Sequence, residues 1–483
     1  MTQPTHSSHT AHPGAHSTNS HQTSQAPSAP HHVLLVADHF YPFRGGLEAF
    51  CLHIATRLAK KGIVVSVLTY QYDHTLPLQQ TYEGVEIYRV PAFEVLKNTY
   101  CLPKLFNPHL KKTLAHLSSQ KWDAVITNTR FFSSCVLGRS VARRSRSPYI
   151  HIEHGNSYVK HSNPFVAACA WIYDQIFGRF VISSSDAVVT ISQKGAPFVK
   201  KLGAKSSVVI YNSVDTKQYV RVDELIRNRI KSEQSIAPDD FVILFVGRLI
   251  YAKGVQHLIE VISSVPHARL FIIGDGPYRS ELMTLAAGKP VTFLGAQPSS
   301  VCQEYISIAN CVVNPSYNEG IPTSLLEAGS VGVPVVATNV GGTKEIIPDI
   351  RYGVVVEPKD NAALLSALIS LQKNKALGKS MTQQLQQRVR EQFDWDINIA
   401  KLEKLIESLQ PVSHQQQTTQ PEVAKTTEVT SAPSASADSV SISNDELSDT
   451  YTNDTHTIAR DADSLITDAV DEPTDEQNGE DEQ

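Results

Sequence analysis

Two doubly wound α/β domains between low-complexity tails are what this 483-residue sequence predicts. Three observations carry the prediction. The chain is longer than one domain usually needs and can bury a core in each of two. Apolar runs of strand length alternate with stretches whose apolar residues recur at helical spacing, and the alternation starts twice, near Val33 and after Asp239. At either end the composition turns polar, and such segments cannot build a core.

Residues 1–31 are rich in Ser, Thr, His, Pro and Gln, hold no Lys, Arg, Asp or Glu, and read as a disordered tail. Seven histidines fall in 1–32 at spacings that match no recognised metal site; they gain charge as pH falls. A first strand is predicted over 33–37, followed by the loop 38–46. Leu47, Phe50, Cys51, Ile54 and Leu58 then mark a helix that Gly62 ends, before a strand over 64–68. Buried-type strands over 124–127, 149–152 and 187–191 complete a parallel sheet covered on both faces, giving a first domain over 32–212. Strands over 241–246, 270–273, 291–294, 311–313 and 335–337, with helices such as 257–263 and 323–329, predict a second domain over 213–392. Its ligand belongs at the carboxyl ends of the strands. Ile397, Ile399, Leu402, Leu405, Ile406 and Leu409 predict a last helix within 393–410, capped by Asp394 or Asp396 and packed back toward the first domain. Residues 411–483 read as a disordered acidic tail.

The net charge of −5 hides an uneven distribution. The acidic tail holds 17 Asp and Glu against Lys425 and Arg460 alone, which leaves 32–410 with 41 basic and 31 acidic residues. A basic working part implies an anionic partner: a nucleotide, an anionic membrane or nucleic acid. Nucleic acid fits poorly, because the basic residues are not interleaved with aromatics on one strand face. Lys97, Lys104, Lys111, Lys112, Arg139, Arg143, Arg144 and Arg146 crowd the first domain, with Leu102, Leu105 and Phe106 nearby. That face is expected either to rest on an anionic cytoplasmic leaflet or to be an ordinary solvated surface. The apolar stretch 164–182 is interrupted by Asp174 and Arg179, and no secretory leader is evident, so the expectation is a cytoplasmic protein, soluble or peripheral on the inner face of the membrane. Cys51, Cys101, Cys135, Cys169, Cys302 and Cys311 form no C-x-x-C pair and read as buried thiols of a reducing compartment.

The densest chemical signal is the segment 318–328. Pro322 suits a first helical position. Behind it, the N–H groups of Thr323, Ser324 and Leu325 would face outward as an anion site. Glu319 precedes the helix and Glu327 lies in its second turn; carboxylates repel phosphate but accept hydrogen bonds from sugar hydroxyls. Other candidates stand where strands end. Gly247, Arg248 and Lys253 follow the first strand of the second domain, where two cations can neutralise a diphosphate. Gly274, Asp275 and Gly276, counted with Gly247 among the donor-binding candidates, form a tight turn before Pro277. Gly45 and Gly46 open a close backbone approach, without the spacing of a dinucleotide fingerprint. His154 and Gly155 end the strand over 149–152, and the nearby His151 reads as structural.

The ordered set Gly45-Gly46, His154-Gly155, Asn212-x-Val214-Asp215, Gly247-Arg248-Leu249 with Lys253-Gly254, Gly274-Asp275-Gly276-Pro277 and Glu319-x7-Glu327 resembles the retaining glycosyltransferases of family 4. The resemblance covers about 32–410. It implies the GT-B fold, two Rossmann-like domains facing across a cleft, with an acceptor domain first and a nucleotide-sugar donor domain second. It also implies roles. Arg248 and Lys253 would hold the donor diphosphate and stabilise the leaving group. The backbone from Gly320 and Ile321 through Pro322 to Leu325 would face donor sugar and phosphate. Glu319 would lie by the donor sugar, Glu327 would bind ribose hydroxyls, and His154 would touch the transferred sugar. No metal and no cofactor is expected, and the acceptor would be lipid-linked or a saccharide, as in glycoconjugate synthesis. Ser213 and Thr323-Ser324 depart from the family's common residues; the first is expected to alter only local backbone freedom, the second to bear on which sugar is bound. Two alternatives stay open: a nucleotide-sugar epimerase of the same fold, and a non-catalytic sugar-nucleotide-binding scaffold.

Overall fold

A computed structural model describes residues 31–43, 45–96, 100–158 and 164–410. The expected tails, apart from His31, lie outside the described residues, as does Lys97. The first sheet has nine strands: β1 (His32–Val36), β2 (Val64–Gln71), β3 (Gln79–Tyr82), β4 (Val85–Leu96), β5 (Tyr100–Pro103), β6 (Ala124–Asn128), β7 (Tyr149–Glu153), β8 (Ala187–Thr190) and β9 (Ser207–Val209). Their order is β3-β4-β2-β1-β6-β7-β8-β9, with β5 paired to β4. Only β3 and β5 run antiparallel to β4.

The second sheet is wholly parallel: β10 (Phe241–Val246), β11 (Ala268–Ile273), β12 (Val291–Gly295), β13 (Cys311–Asn314), β14 (Val335–Thr338) and β15 (Val354–Val356). Its order, β12-β11-β10-β13-β14-β15, is the doubly wound 3-2-1-4-5-6 pattern. Strand order reverses between β10 and β13, and likewise between β1 and β6. Connections leave a reversal point in opposite directions, so a crevice opens at the carboxyl ends there.

The continuous apolar runs become strands because both faces of each sheet are covered, and successive residues feed opposite cores. In β1, Val33 and Leu35 join one cluster while Leu34 and Val36 join the other. Strand β10 repeats this, with Val242 and Leu244 on one side and Ile243 and Phe245 on the other.

Helix Trp395–Ser408 returns to the first domain. Trp395, Ile399, Leu402 and Ile406 share one face and pack with Phe50, Ile54 and Leu58 of helix Gly46–Lys60. Asp394 is its N-cap, accepting the N–H of Asp396 at 2.7 Å. The two passages between domains are tied together: Val214 N–H donates to Phe393 O at 2.9 Å and Trp395 N–H to Val214 O at 3.2 Å. Ser213 does more here than loosen backbone. Its buried hydroxyl donates to Tyr211 O and accepts from Asn398 Nδ2, each at 2.9 Å. Asp215 pairs with Arg57 at 2.6 Å, fixing the passage to the first domain's first helix.

Candidate active site

The second domain's crevice is built from loops that interlock through glycine. Gly274 has φ +144°, and a Cβ there would lie 1.8 Å from Gly247 O; one on Gly276 would lie 2.3 Å from Leu249 O. Hydrogen bonds run between the same loops, from Gly247 N–H to Ile273 O and from Leu249 N–H to Asp275 O. Asp275 itself is exposed and accepts the Gly276 N–H. Packing of loop on loop therefore accounts for Gly274 and Gly276, which the sequence reading assigned to the donor.

Arg248, released just past β10, is exposed, and among the described residues its guanidinium has no hydrogen-bond or ion-pair partner. Lys253 follows in a short 3-10 turn. Gly254 then bends the chain at φ +65° into helix Val255–Val261, close against Pro315 O. The half-buried Lys253 ammonium is not a lone cation. It donates to Glu319 Oε1 at 2.6 Å, where Ser316 Oγ also donates at 2.8 Å and Asn314 Nδ2 at 3.3 Å. Three donors on one oxygen hold the carboxylate in place and leave Oε2 outside the cluster.

Helix Thr323–Val331 starts where the apolar run predicts, and Pro322, read as a first helical position, is its extended N-cap. The Leu325 N–H is committed to Pro322 O at 3.2 Å, so it is not free for an anion, and the side chains of Ile321 and Leu325 belong to the core. Ser324 is buried beside Asn314, while Thr323 is exposed. Glu327 lies within the helix next to the Tyr219 hydroxyl. Burial pushes its pKa up to about 7, and the Tyr219 hydrogen bond only partly offsets that.

Sequence reasoning missed the support behind Glu319. Gly341 (φ +50°) and Gly342 follow β14 and pack directly on the backbone of Glu319 and Gly320; Gly342 N–H donates to Gly320 O at 2.7 Å. The Gly-Gly pair after a strand was a usable signal. Thr338, which bonds to Ser316 O, carried none.

Across the domain boundary, His154 follows β7 with its ring edge-on to Phe50 at 4.8 Å. Its desolvated imidazole is pushed down to about 4, with Glu153 opposing that shift, so it is neutral near pH 7. Its Nε2 is buried and has no hydrogen-bond partner among the described residues. A Cβ on Gly320 would sit 3.1 Å from Ile191 and 3.9 Å from His154 O, so the loop bearing Glu319 lies against the loop bearing His154. Of the two glycines expected to admit a close backbone approach, Gly45 is covered and Gly46 is not. The Glu48 carboxylate folds back over Gly45, to within 2.2 Å of where a Cβ would be, while Gly46 faces open space. Burial raises the pKa of Glu48, and a bond to its own N–H partly opposes that.

Beneath His154 lies a fully buried ionic cluster. Arg130 donates to Glu153 Oε1 at 2.7 Å and to Asp174 at 2.7 and 3.1 Å. Burial opposes ionisation of Glu153, but His151 and Arg130 hold its pKa well below the carboxylate range. Glu153 also accepts the Gly155 N–H at 2.6 Å, which fixes the turn after His154. His151 is structural, bonded to Thr127 and Glu153.

Two family models match the chain: "Glycosyltransferase Family 4" over 44–218 and "Glycosyl transferases group 1" over 226–392, one in each domain. An uncharacterized glycosyltransferase of Methanocaldococcus jannaschii is 25% identical over 396 residues, covering 78% of this chain and 98% of that protein. The putative teichuronic acid biosynthesis glycosyltransferase TuaC of Bacillus subtilis is 26% identical over 334 residues, 68% of this chain and 81% of its own. Among solved structures, sucrose-phosphate synthase of Thermosynechococcus elongatus aligns with a TM-score of 0.65 at 20% identity, over 78% of this chain and 99% of its own. HepE of Anabaena, solved with UDP and glucose, aligns at 0.63 and 18% identity, over 78% and 100%. Both structural likenesses show the GT-B fold.

Proposed function

The chain belongs to glycosyltransferase family 4, and we propose that it transfers a sugar from a nucleotide-sugar donor to a lipid-linked or saccharide acceptor with retention of anomeric configuration. One observation carries the reading: Arg248, Lys253 and Glu319 gather at the reversal point of the second sheet, against His154 of the first domain, whose Nε2 has no hydrogen-bond partner among the described residues. As the glycosidic bond breaks, negative charge grows on the departing diphosphate, and preorganised cations lower the barrier most where charge develops. Arg248 has its guanidinium available for this, and Lys253 can turn from Glu319 toward phosphate. The clamped Glu319 suits positioning of a sugar hydroxyl better than nucleophilic attack. Neutral His154 suits a hydrogen bond to the transferred sugar, and Glu327 suits the ribose hydroxyls. With no carboxylate set as nucleophile among the described residues, the donor phosphate itself takes the acceptor proton on the face the leaving group vacates. HepE, bound to UDP-glucose in a further structure, supports a nucleotide-sugar donor, and TuaC supports a glycoconjugate acceptor.

Incubation of the purified full chain with UDP-, GDP- and ADP-sugars, followed by proton NMR of the released sugar, tests the reading. Slow hydrolysis of one donor with the original anomer appearing first is expected. An inverted first product would overturn the retaining mechanism, and no binding of any donor would overturn the transferase reading.

A further inference from the structure

Twelve of the nineteen large apolar side chains left exposed among the described residues fall in two short stretches of the first domain, 93–106 and 165–180. Helix Pro164–Tyr173 has the composition of a core helix, yet not one of its residues is buried. It runs through a π-turn, Asp174–Gly178, into helix Arg179–Ser183. Trp171, Ile172, Ile176, Phe177 and Phe180 are 40–59% exposed along this length. The second stretch adds Phe93, Leu105 and Phe106, at 60, 63 and 91%. The two are neighbours. The Tyr173 hydroxyl interacts with Tyr100 of β5 and donates to Phe131 O at 3.0 Å.

We propose that these two stretches form one seat on an anionic lipid surface, with helix Pro164–Ser183 lying in the interface. Cations interleave with the apolar side chains: Lys104 lies over the Phe93 ring at 4.9 Å and Arg139 over Phe180 at 4.0 Å. Arg179 is exposed on the helix itself, and Arg143, Arg144 and Arg146 are exposed beyond Arg139. Apolar residues flanked by basic ones match the acyl boundary and the anionic headgroups above it.

The helix lies on the membrane and does not cross it. Asp174, the charge that interrupts the apolar stretch in sequence, points inward to Arg130, and Gly178 one turn on leaves room for that guanidinium. Val181 and Ile182 are buried in the protein. The inward anchors hold the 174–182 half of the helix in the domain, and the ten residues before them are about half of what a span needs. Arg130 links the seat to the site, because the same side chain holds Asp174 of the helix and Glu153 beside His154. Cys169, read from sequence as a buried thiol, is exposed on this helix.

Tryptophan emission tests the proposal on the full chain, since Trp122 and Trp395 are buried and Trp171 is 51% exposed. With vesicles of phosphatidylglycerol, Trp171 emission should move to shorter wavelength and be quenched by acyl-chain bromine, and co-flotation should fall as salt rises. Trp171→Phe should keep flotation and lose the shift. Ile172→Ser/Ile176→Ser should weaken partition about tenfold or more, with an unchanged melting temperature. Four results would each overturn the proposal: no flotation; equal flotation on purely zwitterionic vesicles; a Trp171 shift that follows protein concentration without lipid, which would mean a second copy covers the face; or release from membranes by detergent only, which would mean a span.

Discussion

Donor affinity should depend on pH through one carboxyl group, Glu327. Half-buried, and pushed up to about 7 by the desolvation of its carboxyl beside Tyr219, it is largely protonated at pH 6 and largely ionised at pH 8. Ribose hydroxyls donate to a carboxylate, so the donor prefers the ionised form and its binding releases a proton. Affinity is then fully present well above pH 7 and is lost as pH falls through it. With a pKa near 7, roughly one-eleventh of the group is ionised at pH 6 and ten-elevenths at pH 8, which sets about a tenfold change in affinity, or ~1.4 kcal/mol. The assay is calorimetric titration with an intact nucleotide sugar, whose diphosphate does not titrate in this range. Two further groups need separating. His154, at about 4, changes charge below the window. Buried Asp38 is also pushed up to about 7, and it lies at the end of β1 in the first domain. Glu327→Gln should flatten the profile, whereas Asp38→Asn should leave it sloped. A flat wild-type profile, or a slope that survives Glu327→Gln, would refute the assignment.

Other outcomes follow from the same geometry. Lys253→Ala should slow transfer by about 100- to 1000-fold, ~3–4 kcal/mol of transition-state stabilisation, with an unchanged melting temperature; normal turnover would remove Lys253 from leaving-group stabilisation. Arg130→Met strands two fully buried carboxylates and should cost about 3–5 kcal/mol in urea unfolding. Adding Glu153→Gln and Asp174→Asn should recover much of that loss, and a single variant losing under ~1 kcal/mol would show that the cluster is not what holds the loop.

Runs buried on both sheet faces, such as 33–36 and 241–246, were legible because nothing polar interrupts them. Strand β4 was not. Its Arg89 is fully buried, yet in sequence it reads as surface; only the structure supplies its acceptors, Pro77 O and Tyr41 O. Pro91, in the same strand, also argues against a strand when read alone. The site's charged residues were legible as types at strand ends. Their pairing was not, since Lys253 and Glu319 meet across 66 positions of chain through a reversal that spacing cannot reveal. Gly45, Gly274 and Gly276 looked like ligand cradles because a glycine at a strand end looks the same whether it admits a ligand, a carboxylate or another loop. The apolar stretch 164–182 is interrupted in sequence by Asp174 and Arg179, of which the fold turns only Asp174 inward.

The central claim is that the second domain's reversal point holds the donor diphosphate between Arg248 and Lys253. Titration of the preferred nucleotide sugar into the wild-type chain and into Arg248→Ala/Lys253→Ala tests it most directly. A loss of affinity of about 100-fold or more, with an unchanged melting temperature, is predicted. Equal affinity in the two proteins would contradict it.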